Sequence, residues 1–572
     1  MLQKIKSFLS QGSRAQWCVF ILFTFTILLK CVLFHWICFH NILLSSLWKA
    51  PMAFLAFWLP KISIAVFIAS FVFLAKRQWW TIIVSLLIDT WILANLIYYK
   101  SNGIFLDIWA LSMAGNMKGF WGSVLFYLSY KDLFGYFITL LYTPICIWVG
   151  GSTKRSYIYF AIVVIAAYIF TWIGLFGHIY SYGPKGVVRW NPFSQSVRKD
   201  LISVSYTDQV RYSSIMHSVG FILADKIVHV YDSNHITLDD INISIPISRE
   251  GYNSYSTFNN KIILILVESL ENWAVNVTST PNLWSYMNNH PHFHATKITK
   301  QIKAGTSADG QMIINTGLLP IEQGATCFRF PTNKFPSIGE CCEGKSATIL
   351  PHQIGIWNQQ YMSPAYAYDT TIILGMEDSV LFQETVDCLH DGFQMLQTIT
   401  MSSHSPFIFG ASRSHLQLPH EMPKDMSNYL KSINYFDEGL QVLLEQVDAD
   451  PLLSNATIVI TGDHTIFTDE MRVEYGAICQ ENNLPFAIEE GFCPLIIFSP
   501  FIKENILITD SCYQMDIYPT IMHLIGCENY YWNGFGVNLL DSTARCYRPF
   551  TEAEAYEISD MLIRSNYFAD HR

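Results

Sequence analysis

At 572 residues and a net charge of −10, the chain is too long for one ordinary domain and lacks the basic footprint that nucleic-acid binding requires. Hydrophobic residues make up 51% and charged residues only 14%, against a usual charged share of roughly 25%. The apolar excess sits mainly in the first 180 residues, so a membrane-like part precedes a soluble part large enough for a sizeable core.

A bilayer-crossing helix needs about 20 mostly apolar residues. Five stretches meet that requirement, at 17–39, 57–74, 79–99, 133–149 and 157–176, with Trp79, Trp80, Tyr98 and Tyr99 placed as interfacial aromatics. The first is too long for a cleavable signal, contains Lys30 and shows no small-residue cleavage site. Lys4, Lys6 and Arg14 precede span one, Lys76 and Arg77 separate spans two and three, and Lys154 and Arg155 separate spans four and five. With five spans these clusters share one side, which the positive-inside rule makes cytoplasmic, and the chain beyond about residue 177 falls outside the cytoplasm. Lys30 and Asp89 read either as lipid head-group contacts or as a snorkelling cation and a paired acid. The loop 101–131 reads either as an amphipathic surface element or as a packed connection. The expected divisions are a transmembrane domain over 1–177, a connecting segment over 178–259 and an extracytoplasmic catalytic domain over 260–572.

From residue 261 the text changes to α/β grammar. The run 261–267 (KIILILV) is continuously apolar, as in a strand buried on both faces, and ends in Glu268-Ser269. A second run, 456–461 (ATIVIT), ends in Gly462-Asp463-His464, and a third, 494–500 (PLIIFSP), is flanked by prolines. Over 425–448, Tyr429, Leu430, Ile433, Phe436, Leu440 and Leu443 repeat with helical spacing. Strands alternating with helices predict a mainly parallel sheet covered on both sides. Ligands on such sheets bind beyond the carboxyl ends of strands, where Glu268, Asp463 and His464 stand. Two carboxylates and an imidazole suit Zn2+ or Mn2+ better than Ca2+. Singly, each of these residues reads more readily as a strand or helix cap than as a ligand.

In 303–317 (KAGTSADGQMIINTG) a small-residue turn leads into a helix whose N-terminus would offer N–H groups to a phosphate. A Thr306 hydroxyl held against a metal there becomes a nucleophile at neutral pH; the plainer reading is an N-cap. His404, in 401–407 (MSSHSPF), lies on a turn from which it could donate a proton to a leaving oxygen, or simply tie down a loop. Thirteen cysteines include no Cys-x-x-Cys pair, which argues against a structural zinc module, and an extracytoplasmic domain could carry disulfides.

In order and spacing, Val267-Glu268-Ser269, Gly305-Thr306-Ser307, Ser403-His404-Ser405-Pro406-Phe407 and Gly462-Asp463-His464 resemble the lipoteichoic acid synthase branch of the sulfatase/alkaline phosphatase superfamily. The segments 516–520 (DIYPT), 534–536 (GFG) and 538–540 (NLL) extend the resemblance toward the C-terminus. The fold it implies is an α/β sulfatase/alkaline-phosphatase-like domain with a mainly parallel central sheet behind a five-span α-helical transmembrane domain. It makes Thr306 the nucleophile and Glu268, Thr306, Asp463 and His464 the ligands of one divalent metal, Mn2+ or alternatively Zn2+. His404 would line the head-group pocket, and 351–358 (PHQIGIWN) would contribute His352 and Trp357 as substrate contacts. Where the family has an arginine after the Trp-Asn pair, this chain has Gln359, which cannot supply that charge. Sulfatase activity proper needs Cys or Ser followed by Pro and Arg at set spacing, and neither Pro nor Arg follows Thr306.

The resemblance implies a multi-pass cell-membrane (inner-membrane) enzyme with a periplasmic or extracellular catalytic domain. It would move a phospho-head group, glycerol phosphate or similar, from a phospholipid donor to a glycan or polymer acceptor through a phospho-threonine. The rivals are a phosphoethanolamine transferase or phosphodiesterase on the same scaffold, and a non-catalytic glycan-binding membrane protein.

Overall fold

The computed structural model describes residues 12–39, 51–102, 105–106, 121–149, 155–182 and 261–569, except 323, 343, 528 and 529. Nearly all of the expected connecting segment, 183–259, and most of the 101–131 loop lie outside the described residues. The chain divides into two compact units, a helical one and an α/β one.

The helical unit holds α1 (Gly12–Phe39), α2 (Pro51–Ser70), α3 (Trp80–Asn102), α4 (Phe134–Val149) and α5 (Tyr157–Tyr182). Among the described residues, three of its segments, Arg14–Phe39, Trp80–Lys100 and Tyr157–Gly174, are long and apolar enough to cross a membrane. Five spans were expected. Helix α4, at 16 residues, reaches only about 24 Å against a hydrocarbon core of about 30 Å, and among the described residues α2 contributes the shorter apolar segment Phe57–Phe73. Along α1, Val19, Phe23, Ile27, Cys31 and Phe34 are buried at three- and four-residue spacing, while Ile21 and Phe25 are exposed. Leu86, Leu87, Leu140, Leu141, Ile162 and Ile165 are likewise exposed, an apolar exterior suited to lipid rather than water. The polarity is turned inward. Lys30 Nζ lies 2.6 Å from Asp89 Oδ1 with both side chains fully buried, and it also donates to Ser85 Oγ at 2.6 Å and Thr139 Oγ1 at 2.7 Å. Of the two readings of these charges, the paired one is observed.

In the α/β unit the strands are β1 (Ile262–Val267), β2 (Phe293–Thr299), β3 (Lys345–Leu350), β4 (Thr370–Ile373), β5 (Phe393–Ile399), β6 (Thr457–Gly462), β7 (Cys493–Phe498), β8 (Ile506–Ile508) and β9 (Cys512–Tyr513). They form one sheet in the order β4-β3-β5-β1-β6-β7-β2-β8, with β9 also on β2. From β4 to β6 all pairs are parallel. The proline-flanked third run forms β7, which is antiparallel to both β6 and β2, so the sheet is mixed, mostly parallel. β1, β6 and β7 are buried at every position, as their unbroken apolar runs require. The expected helix at 425–448 is α7 (Lys424–Ala449) in the structure. Its Met426, Tyr429, Ile433, Phe436, Leu440 and Leu443 join Ile263, Ile265, Ile458 and Ile460 in one apolar core. All thirteen cysteines are free thiols.

Register positions the site. Val267 pairs with Gly462, which sets Glu268 and Asp463 side by side where the two central strands end. A Cβ at Gly462 would overlap the Leu270 carbonyl oxygen, so only glycine lets the turn after β1 cross there.

Candidate active site

Glu268, Asp463 and His464, all buried, bring one ligand atom each to within 4.8 Å of one another. Hydrogen bonds fix their orientations, and neighbouring serine hydroxyls share both Glu268 oxygens and His464 Nε2. Asp463 Oδ1 accepts from the Ser269 and His464 N–H groups, both at 2.8 Å, and its Oδ2 lies 3.7 Å from His464 Nε2. His464 Nδ1 lies 3.2 Å from the Thr465 carbonyl, which places the ring proton on Nδ1 and leaves Nε2, 3.5 Å from Glu268 Oε1, as a lone-pair donor. Glu268 accepts from Ser269 Oγ at 2.7 Å and from Ser307 Oγ at 3.1 Å. Burial, reinforced by the Asp463 charge, pushes the Glu268 carboxyl up to about 7. Two buried carboxylates beside an imidazole are costly without a cation. In donor type, orientation and spacing these residues fit a divalent metal ion.

The loop after β1 is stapled to the loop after β6. Glu271 forms a bidentate pair with Arg472 at 2.7 and 2.8 Å. It also accepts from Trp273 Nε1 at 2.6 Å and from the Ile466 N–H at 2.9 Å. Arg472 belongs to α8 (Asp469–Glu481), so the pair ties that helix to the loops after β1 and β6. Neither residue was singled out by the sequence reading, which gives no signal for a pairing across 201 positions.

Thr306 immediately precedes α6 (Ser307–Thr316) and is 4% exposed. Its φ of 41° and ψ of −113° lie outside the favoured regions for a β-branched residue, a strain of order 1–3 kcal/mol that the surroundings must hold in place. Asp309 holds part of it. Its Oδ2 accepts from the Lys303 and Gly305 N–H groups at 2.9 and 2.8 Å, and burial lifts its carboxyl to about 7 despite those bonds. The Thr-x-x-Asp spacing, a capping-box pattern, was the available signal for Asp309. A Cβ at Gly310 would overlap the Asp463 carbonyl oxygen, so glycine allows α6 to lie against the turn after β6.

Among the described residues the Thr306 hydroxyl makes no side-chain hydrogen bond. The Ser307 hydroxyl, one residue on, lies 3.1 Å from Glu268 Oε2 and 3.3 Å from His464 Nε2. Ser307 is a site residue that the sequence reading quoted without assigning a role. The expected set of open helix N–H groups is reduced. Those of Ala308, Asp309 and Gly310 bond to the Gly305 and Thr306 carbonyls, and of the first turn only the Ser307 N–H lacks a partner among the described residues.

Glu268, Ser307 and Asp463 line a cleft together with His352, Trp357, His404, Gln311 and Gln359. All the sequence-predicted substrate residues therefore reach the same cleft. Burial lowers the affinity of His352 and His404 for a second proton. His404 Nδ1 lies 2.7 Å from the Ser405 carbonyl, which places a ring proton on Nδ1. Trp357 and Asn358 both adopt positive φ, 52° and 53°, and Asn358 is anchored by a bond to the Cys327 carbonyl at 2.9 Å.

Comparison with known proteins covers both units. The lipoteichoic acid synthase N-terminal domain model matches residues 1–179, and the sulfatase model matches residues 341–527. The lipoteichoic acid synthase of Staphylococcus saprophyticus is 22% identical over 544 residues, spanning 86% of this chain and 80% of that protein. Lipoteichoic acid synthase 2 of Bacillus subtilis is 21% identical over 551 residues, spanning 89% of this chain and 81% of its own length. The crystal structure of the lipoteichoic acid synthase LtaP from Listeria monocytogenes aligns over 60% of this chain and 97% of that one, at 16% identity and a TM-score of 0.46.

Proposed function

We propose that this chain, which resembles the lipoteichoic acid synthases of the sulfatase/alkaline phosphatase superfamily, is a membrane-bound phosphotransferase acting through Thr306. It moves a phospho-head group, glycerol phosphate or a close relative, from a membrane phospholipid to a glycan or polymer of the cell envelope. The observation that carries this reading is a hydroxyl with no side-chain hydrogen bond, on a strained residue that precedes a helix lying against the Glu268–Asp463–His464 group.

Thr306 Oγ1 attacks the phosphorus of the phosphodiester, and the bond to the diacylglycerol oxygen breaks. The Thr306 proton ends on the departing diacylglycerol hydroxyl, leaving the phospho-head group esterified to Thr306. An acceptor hydroxyl then attacks that phosphorus and restores the threonine. The Ser307 N–H and the N-terminal dipole of α6 stabilise the negative charge that gathers on the transferring group. A divalent cation, Mn2+ or alternatively Zn2+, held by Glu268, Asp463, His464 and Thr306, would lower the hydroxyl's hold on its proton and offset phosphate charge. His404, His352 and Trp357 bind and orient the head group.

The apolar helices and the basic clusters at 4–14, 76–77 and 154–155 support five spans with residues 260–572 outside the cytoplasm. Anchoring fits a donor that stays in the bilayer. The test is diacylglycerol release from phosphatidylglycerol by the full chain: Thr306→Ala abolishes it, and release at the wild-type rate by that variant contradicts the reading.

A further inference from the structure

One buried acid of the α/β unit belongs neither to the metal-ligand group nor to the lining of the cleft. Asp378 begins the helix Asp378–His390 and is fully buried. Its Oδ2 accepts from Ser402 Oγ, and among the described residues its Oδ1 has no hydrogen-bond partner. It therefore does not cap its own helix; its one bond goes to the segment that follows β5. Gly439 of α7 packs against it, and a Cβ there would stand 2.8 Å from Asp378 Cβ. Burial pushes the Asp378 carboxyl up to about 7, with the Ser402 bond opposing. A buried carboxyl with a single bond costs stability, so its presence calls for a role.

The segment that Asp378 holds in turn holds Glu268. Thr400, Ser402 and Ser403 are all buried. Thr400 Oγ1 accepts from the Glu268 N–H at 3.3 Å, and Ser403 Oγ donates to the Glu268 carbonyl at 2.6 Å, so both backbone polar groups of Glu268 are held from one side. Directly after Glu268 the chain turns through Ser269 at a φ of 57°, so the direction of the Glu268 side chain depends on what secures its backbone. Ser402 stands between these two contacts. Its carbonyl accepts from the Gly410 N–H at 3.2 Å, and its hydroxyl is the tie to Asp378. Two residues further on, the same segment brings His404 to the cleft.

We infer that Asp378 is a positioning residue for the candidate metal site: through Ser402 it fixes the segment 400–404, and through Ser403 that segment sets the backbone from which Glu268 meets Asp463 and His464. Partners beyond the ligands themselves orient a metal site and govern its affinity, and here the chain of contacts runs from one buried acid to one ligand. The inference rests on the phosphotransferase reading for its biological meaning, and metal binding tests it separately from turnover.

The experiment is calorimetric titration of the metal-free full chain with Mn2+, with the electron paramagnetic resonance spectrum of bound Mn2+ as the signature of ligand geometry. Asp378→Ala and Ser402→Ala are each expected to weaken Mn2+ binding by about tenfold or more and to alter that spectrum. The double variant is expected to bind no more weakly than the weaker single one, because both break the same link. Asp378→Asn keeps an oxygen acceptor for Ser402 and restores most of the affinity. Asp437→Ala is the control: this buried acid caps the helix Pro281–Asn289 through the Asn282 and Leu283 N–H groups, both at 2.8 Å, and its loss lowers stability but leaves Mn2+ affinity unchanged. Ser402→Ala, the smaller change, carries the test if Asp378→Ala does not fold. Wild-type affinity in Ser402→Ala overturns the inference, as does an additive loss in the double variant or an equal loss in Asp437→Ala. A wild type that binds no Mn2+ overturns it as well. The expected pattern of affinities in a protein that releases no diacylglycerol would keep the positioning role and count against the transferase reading instead.

Discussion

At the residue scale, Thr306, the proposed nucleophile, sits on a strained backbone. Its φ of 41° is one that glycine adopts freely and a β-branched residue does not. The chain therefore gives up stability to hold a hydroxyl at this point. Thr306→Gly is expected to raise thermal stability, by about 1–2 kcal/mol, while abolishing turnover. A glycine variant less stable than wild type in calorimetric melting would remove strain from the account. The sequence made the hydroxyl legible because it stands in a small-residue turn before a helix. It did not show that the Thr306 hydroxyl is left without a side-chain bond while Ser307 reaches Glu268 and His464, because adjacent residues before a helix diverge by backbone angles that composition does not encode.

At the scale of elements, the site depends on two strands ending level and one helix approaching closely. Glu268, Asp463 and His464 were legible because β1 and β6 are unbroken apolar runs, and polar residues at their carboxyl ends stand out. β2 and β3 were not, since Lys297 and Thr299, and Lys345, Ser346 and Thr348, interrupt the apolar pattern. Nor does an apolar run carry direction: 494–500 reads as a buried strand whether parallel or, as found, antiparallel. The approach of α6 rests on Gly310. Gly310→Ala would place a methyl against the Asp463 carbonyl and push the helix away from the ligand-bearing turn. The expected result is a metal affinity weakened by about tenfold or more, read by titration calorimetry, with the circular dichroism of the folded protein retained. Unchanged affinity would mean that the glycine serves backbone conformation alone.

Across the whole molecule, the two units are built on opposite plans. The helical unit shows apolar side chains outward and encloses Lys30 and Asp89, whereas the α/β unit buries its apolar residues in one continuous core. Composition announced this division, and the length of the apolar stretches placed the helices of the first unit. It could not decide whether Lys30 and Asp89 contact lipid or each other, because they are 59 positions apart and meet only through helix packing. Their pairing makes a specific prediction. Asp89→Leu leaves a buried cation unpaired and is expected to destabilise the helical unit by about 3–5 kcal/mol, while the double variant Lys30→Met/Asp89→Leu recovers most of that loss. Yields and melting temperatures in detergent would show it. Equal behaviour of the single and double variants would contradict the pairing account.

The central claim is covalent: a phospho-head group rests on Thr306 between donor and acceptor. Peptide mass spectrometry of the metal-loaded full chain, quenched during turnover of phosphatidylglycerol without acceptor, tests it directly. The account predicts a glycerol phosphate adduct on the peptide containing Thr306, localised to that residue and absent from Thr306→Ala. Diacylglycerol release with no adduct on Thr306, or an adduct on Ser307 instead, would contradict it.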